Sequence, residues 1–178
     1  MEIYVITVVR DWKMYNKCIS TNQNLKNCIL QPYENLRINE RLPTIYNRFL
    51  NEYNYDNQAW FIFCHEDFQF YEKPVDFLEK VSENFIYGPI GAVLEKTQSH
   101  ILGGLWISKL LGEIEESDKA GNNVRFFGSL VEGDNRVDTL DCQCVIVHSE
   151  IVKNNNLRFD ENLSFDLYVE DFCANAFV

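Results

Sequence analysis

Short apolar runs, each ended by polar residues, set the pattern of this chain. Ile3 to Val9 is uncharged and rich in β-branched residues, which predicts a buried strand at the N-terminus. Arg10-Asp11 ends it, and Trp12 to Ser20 predicts a helix. Leu25 to Leu30 predicts a second strand, followed by polar loop from Pro32 to Asn39. Between Thr44 and Asn54, Ile45, Phe49, Leu50 and Tyr53 fall on one helical face. Gln58 to Cys64 (QAWFIFC) predicts a third, strongly apolar strand that runs straight into His65-Glu66-Asp67.

Pro74 suits the first turn of a helix expected to reach Asn84, with Val75, Leu78 and Val81 inward. Ile86 to Leu94 (IYGPIGAVL) predicts another buried strand. From Ser99 to Asn135 the glycines Gly103, Gly104, Gly112, Gly121 and Gly128 cut the pattern into short pieces. Strand character returns from Val137 to Val147. Ser149 is expected to cap a short helix ended by Asn154-Asn155-Asn156, and the chain closes in a helix around Ala174 to Val178. Strands alternating with helices, then a more irregular β-rich half, predict a single α/β domain over residues 1–178 with a largely parallel sheet covered by helices. Ligands of such sheets gather at the carboxyl ends of the strands, where Asp67 falls.

Charge narrows the choice of partner. The net charge is −11, with 16 basic against 27 acidic residues and no dense basic run, so a nucleic-acid face is not expected. The same acidity suits a phosphorylated ligand held through a divalent metal. None of Cys18, Cys28, Cys64, Cys142, Cys144 and Cys173 forms a C-x-x-C pair, which predicts reduced structural thiols. The N-terminal run has no basic leader, and no apolar stretch approaches the ~20 residues of a membrane span, so a cytoplasmic location is expected.

Two acidic clusters could carry chemistry. His65-Glu66-Asp67 places carboxylates at a strand end, and hard ions such as Mg²⁺ or Mn²⁺ take oxygen ligands together with substrate phosphates. A solvated loop after a strand competes with this reading and leads it on residue pattern alone. Asp160-Glu161-Asn162, Asp166 and Glu170-Asp171 form the second cluster, suited to a general base at a helix start. Acids that simply favour a helix N-terminus are again the stronger reading from the residues themselves. Trp106, after Gly103-Gly104, could stack on a sugar face or sit in the core, while His100 and His148 are expected to be structural. No P-loop, G-x-G-x-x-G or G-x-S-x-G pattern is present, which weakens kinase, dehydrogenase and hydrolase readings.

Taken in order, the Tyr46-Asn47 helix, WFIFCHEDFQF, IYGPIGAVL, VDTLDCQCVIVHSEIV and LRFDENLSFDLYVEDFCANAF resemble the family 2 glycosyltransferases of GT-A fold. The branch most similar is the glycosyltransferase-like domain of the streptomycin-biosynthesis type, in which His-x-Asp replaces Asp-x-Asp. The resemblance implies a GT-A, Rossmann-like sheet and a metal-dependent inverting transfer from a nucleotide-diphosphate sugar to a glycan or other hydroxyl acceptor. It implies that Asp67 holds Mg²⁺ or Mn²⁺ and that His65 contacts the ribose or sugar. Thr7, Val8 and Arg10 would line the nucleobase pocket, with Glu34 or Asn35 reading the base and Asn47 near the diphosphate. The acceptor would approach over Gly103 to Trp106. In one register the terminal Glu-Asp pair falls on Glu170-Asp171, with Asp171 or Glu170 as the base; in the other Asp171 matches a later Asp and Val169 stands where the catalytic Asp would be. Asn175 stands where the family has an Arg, and the match stops before the acceptor-binding helices, so that extension is expected to be lacking. A module that binds a nucleotide or glycan without turnover is the alternative these departures leave open.

Overall fold

The computed structural model describes residues 1–96, 105–118, 120, 122–165 and 167–176. These form two compact units, Met1–Tyr87 with Cys142–Val178, and Gly88–Asp141.

The first unit is built on a sheet in the order β2-β1-β3-β8. Here β1 is Glu2–Val9, β2 Ile29–Glu34, β3 Ala59–His65 and β8 Cys144–His148. Strands β1, β2 and β3 run parallel and β8 runs antiparallel to β3. Every residue from Ala59 to Cys64 is buried, as a strand covered on both faces requires. Alternate side chains divide between two layers. Trp60, Ile62 and Cys64 join Ile3, Val5, Tyr15, Ile19 and Leu78 in one cluster. On the other face Phe61 meets Phe49 edge-on with ring centres 5.0 Å apart, and Phe63 meets Tyr46 at 4.9 Å. Phe49 and Tyr46 belong to helix α2 (Leu42–Glu52).

Several elements depart from expectation for visible reasons. The second strand begins at Ile29 instead of Leu25, because Gln23–Leu25 closes a 3₁₀ turn capped by the Asn22 side chain. That strand also continues through Pro32, which an interior strand would exclude. Pro32 lies opposite Thr7, and β2 is the edge of the sheet, so no partner needs its missing N–H. Helix α1 (Trp12–Tyr15) is continued by a π-helical turn, Asn16–Ser20, so the expected helix is present in two geometries. Helix α2 starts two residues early, with Pro43 in its first turn. Helix α3 covers only Pro74–Leu78, after which the Tyr87 hydroxyl bonds both the N–H and the C=O of Ser82. Helix α4 (Ser149–Asn154) is capped by His148, whose Nδ1 accepts the Glu150 N–H at 3.4 Å. Ser149 serves β3 instead, its Oγ accepting the Ala59 N–H at 3.0 Å. Helix α5 spans Tyr168–Asn175.

The second unit is a separate antiparallel sheet ordered β6-β5-β4-β7. Its strands are β4 (Ile90–Lys96), β5 (Leu105–Glu116), β6 (Arg125–Ser129) and β7 (Thr139–Leu140). The expected Val137–Val147 strand is therefore two, β7 here and β8 in the first unit. Two of the glycines that suggested breaks instead lie within strands, Gly112 in β5 and Gly128 in β6. Gly112 has φ +87° and Gly128 φ +99°, and a Cβ on Gly112 would stand 2.0 Å from the Pro89 carbonyl oxygen. Only glycine tolerates both conditions, so these positions permit close strand packing. Gly103, Gly104, His100 and Asp166 lie outside the described residues, as does the side chain of Trp106.

Candidate functional site

Parallel strands end together, and this decides where polar groups collect. Val9 pairs with Glu34 and Val8 with His65, so the exits of β1, β2 and β3 share one edge. Thr7, Val8, Arg10, Glu34, Asn35, His65 and Asp67 all lie on or just beyond these strand ends.

Their side chains serve different purposes. Thr7 is fully buried, its hydroxyl 3.6 Å from the Cys64 sulfur, and Val8 is also buried. Both side chains belong to the core. Burial pushes the Cys64 thiol up to about 12; the Thr7 hydrogen bond opposes this and the Asp67 charge adds to it. The six cysteines are free in the structure. Arg10 is exposed, and its guanidinium donates to the Asn39 side-chain oxygen. Asn35 is buried; its amide donates to the Glu40 carbonyl at 2.9 Å and accepts the Glu40 N–H at 2.8 Å. It fastens the loop that follows β2. Glu34, beside it, is exposed.

His65 closes β3. Its Nε2 lies 3.3 Å from the hydroxyl of Tyr168, and its ring stands 5.7 Å from that of Phe165. Tyr168 opens α5 and donates the same hydroxyl to the Cys142 carbonyl at 3.1 Å. This contact joins the end of β3 to the start of the helix that carries Glu170 and Asp171. The first turn of that helix holds both acids, where the macrodipole favours negative charge. Asn175 donates to Asp171 Oδ2 at 3.0 Å.

Asn47 reaches across to the second acidic cluster. Its Nδ2 donates to the Phe159 carbonyl at 2.8 Å and to Glu161 Oε1 at 2.9 Å, while its Oδ1 accepts the Phe159 N–H at 2.9 Å. Both amide protons are thereby committed to the Phe159–Glu161 turn. Arg41 donates to the Glu161 and Asn162 carbonyls, and Thr44 to Glu161 Oε2 at 3.3 Å. Asp160 closes the turn by accepting the Asn162 N–H at 2.9 Å. The Phe-Asp-Glu turn is thus pinned onto α2, and its acids Asp160 and Glu161 hold local structure.

Asp67 is exposed, two residues beyond the reach of the ladder. Among the described residues no group of three or more His, Cys, Asp or Glu converges as a ready-made metal cage. A single free carboxylate still fits a hard divalent ion that takes its remaining oxygens from phosphates and water. It does not fit a structural zinc centre.

Sequence reasoning named Tyr168 only as part of a motif and missed its bridging hydroxyl. It missed Arg41 and Thr44 altogether, because their partners lie more than a hundred residues away along the chain.

The strand order, the helices over the sheet and the polar groups at the strand exits define a GT-A-type, Rossmann-like α/β fold. The solved structure of S. aureus TarS residues 1–349, a glycosyltransferase of that type, is similar over 99% of this chain with a TM-score of 0.52 and 14% identity. The similarity covers 55% of the TarS chain, so this chain spans about half of its neighbour's length. No protein-family model matches the chain, and no curated protein does. Among the described residues, no helix is long and apolar enough to cross a membrane.

Proposed function

We propose that this chain is a metal-dependent, inverting glycosyltransferase acting on a nucleotide-diphosphate sugar, with a glycan or other hydroxyl compound as acceptor. One observation carries the reading most. The Tyr168 hydroxyl ties His65, two residues before Asp67, to the first turn of α5, three residues before Asp171. A candidate ion-binding carboxylate and a candidate base are therefore anchored to one hydrogen-bonded junction. The fold shared with TarS supports transfer as the activity class.

In this reading Asp171 accepts the proton of the acceptor hydroxyl. The acceptor oxygen bonds to the anomeric carbon as the bond from that carbon to the diphosphate oxygen breaks, and attack from the opposite face inverts the centre. Glu170 is the other carboxylate available for this role. Mg²⁺ or Mn²⁺ held by Asp67 would, when bound, neutralise the departing diphosphate. In a chain of net charge −11, an ion also offsets the repulsion a diphosphate would meet. Arg10 and Glu34 are the exposed side chains at the strand exits with which to recognise the nucleoside. Asn47 acts at one remove, through the turn it holds, and His65 through Tyr168.

A thermal-shift screen of uridine, guanosine, cytidine and thymidine diphosphates, with and without Mn²⁺, tests the binding half. At least one should stabilise the protein only with the ion, and Asp67→Ala should remove that shift while leaving the unliganded melting temperature in place. Asp171→Asn should lower release of nucleotide diphosphate from the matching sugar by about 10²–10⁴-fold, the usual contribution of a general base, with binding retained. A second reading, a module that binds without turnover, is favoured by Asn175 in place of a basic residue and by its bond to Asp171. Binding without nucleotide release across the panel would select it.

A further inference from the structure

Glu66, between His65 and Asp67, is half-buried and points back across the sheet edge. Its Oε2 accepts the backbone N–H of Arg10 at 2.6 Å and that of Asp11 at 2.8 Å. Two successive N–H groups directed at one oxygen make a small anion-binding concavity, and bonds to a carboxylate are stronger than neutral ones. Here the chain fills that concavity itself.

The same short segment is fixed on its other sides. The Asp11 carboxylate accepts the Lys13 and Met14 N–H groups at 3.0 and 3.2 Å and so caps α1. The Arg10 guanidinium is held by Asn39, whose own N–H donates to the Asn35 carbonyl at 3.2 Å. The Asn35 N–H in turn donates to the Val9 carbonyl at 2.8 Å. The exits of β1 and β2 are therefore one hydrogen-bonded frame, and Glu66 ties that frame to the Asp67 turn.

We infer that Glu66 is a positioning residue: it locks the exit of β1, with Arg10, in fixed relation to Asp67, so that nucleoside and ion-bound diphosphate are engaged together. This rests on the proposed function. It adds that the middle acid of the His-Glu-Asp turn acts through the backbone of β1 rather than on the ion or the substrate.

Both bonds go to one oxygen, which makes the role separable from charge. Glu66→Gln keeps an acceptor oxygen at the same reach, whereas Glu66→Asp keeps the charge and shortens the reach. Calorimetry with the four nucleoside diphosphates, each with Mn²⁺, should show affinity close to wild type for Glu66→Gln. Glu66→Ala should weaken binding about tenfold, in line with the loss of both hydrogen bonds to that oxygen, and Glu66→Asp should fall in between. Amide exchange at Arg10 and Asp11 should accelerate in the same order. If Glu66→Ala does not fold, the ranking of Gln above Asp decides the matter. A folded Glu66→Ala that binds as wild type, or Glu66→Asp binding better than Glu66→Gln, overturns the inference and leaves the proposed function standing. Failure of the wild-type protein to bind any of the four with Mn²⁺ removes both together.

Discussion

In the unit formed by Met1–Tyr87 and Cys142–Val178, β3 buries every residue from Ala59 to Cys64, while in the Gly88–Asp141 unit β6 exposes all five of its residues. The first sheet lies between layers of aromatic and aliphatic side chains contributed by α1, α2 and their neighbours. The second holds its strands by ladder hydrogen bonds and by glycines that let backbones approach, with Phe126 and Phe127 64% and 50% exposed. Stability in the first unit resides in packing; in the second, among the described residues, much of it resides in backbone geometry. Candidate chemistry follows the same division, since the strand exits that gather Arg10, His65 and Asp67 belong to the packed unit. A rigid platform holds its loops in place without needing them to be buried.

Substitutions can break this contrast directly. Trp60→Ala should cost about 3–5 kcal/mol, because it empties a site with no solvent exposure, whereas Phe126→Ser should change stability by no more than about 0.5 kcal/mol. Chemical denaturation of the two variants measures the difference, and equal losses would refute the contrast. Gly112→Ala should be intermediate in global effect, about 1–3 kcal/mol, since it combines a left-handed φ with a backbone clash. Its signature is local: amide exchange should accelerate in β4, β5 and β6 while β1 and β3 keep their protection.

The smallest effect is a pH dependence within the packed unit. His148 is buried with its ring 5.0 Å from that of Trp60, and burial lowers its pKa from the ordinary 6.5, with Glu83 and Glu150 opposing. Glu83 Oε1 lies 3.9 Å from Nε2, and Nδ1 caps α4 by accepting the Glu150 N–H. The unfolded chain therefore binds the proton more readily than the folded one. The stabilisation is complete above about pH 6.5 and is lost as pH falls through the lowered folded value. Unfolding free energies between pH 8 and 5 should show this slope, and His148→Asn, which can cap α4 without titrating, should flatten it.

The legible parts of the chain were those whose signal is local. QAWFIFC read as a buried strand because an apolar run this short, rich in aromatic and β-branched residues and followed at once by polar ones, is the pattern of a strand covered on both faces. The Tyr46-Asn47 helix was legible from its apolar face, whereas Asp67 and Asp171 were legible only as acids at element ends, their candidate roles coming from the family resemblance. Pro32 misled because its cost depends on whether a neighbouring strand exists, which no local pattern records. Gly112 and Gly128 misled in the opposite sense, since glycine marks close approach as readily as a break. Asn47 was expected near the diphosphate, but its amide is held by Phe159 and Glu161. Thr7 and Val8, expected at the nucleobase, have buried side chains.

By itself the sequence determined the strand-forming runs, the acidic balance and the order of elements that resembles the GT-A glycosyltransferases. Burial demands and backbone propensities act over a few residues, so they are written in consecutive letters. Only the tertiary structure decided that His65 meets Tyr168, that Asn47 clamps the Phe159–Glu161 turn and that Glu66 reaches the Arg10 and Asp11 amides. Those bonds join residues 55 to 114 positions apart, and their existence depends on strand order and register, which are properties of the assembled sheet.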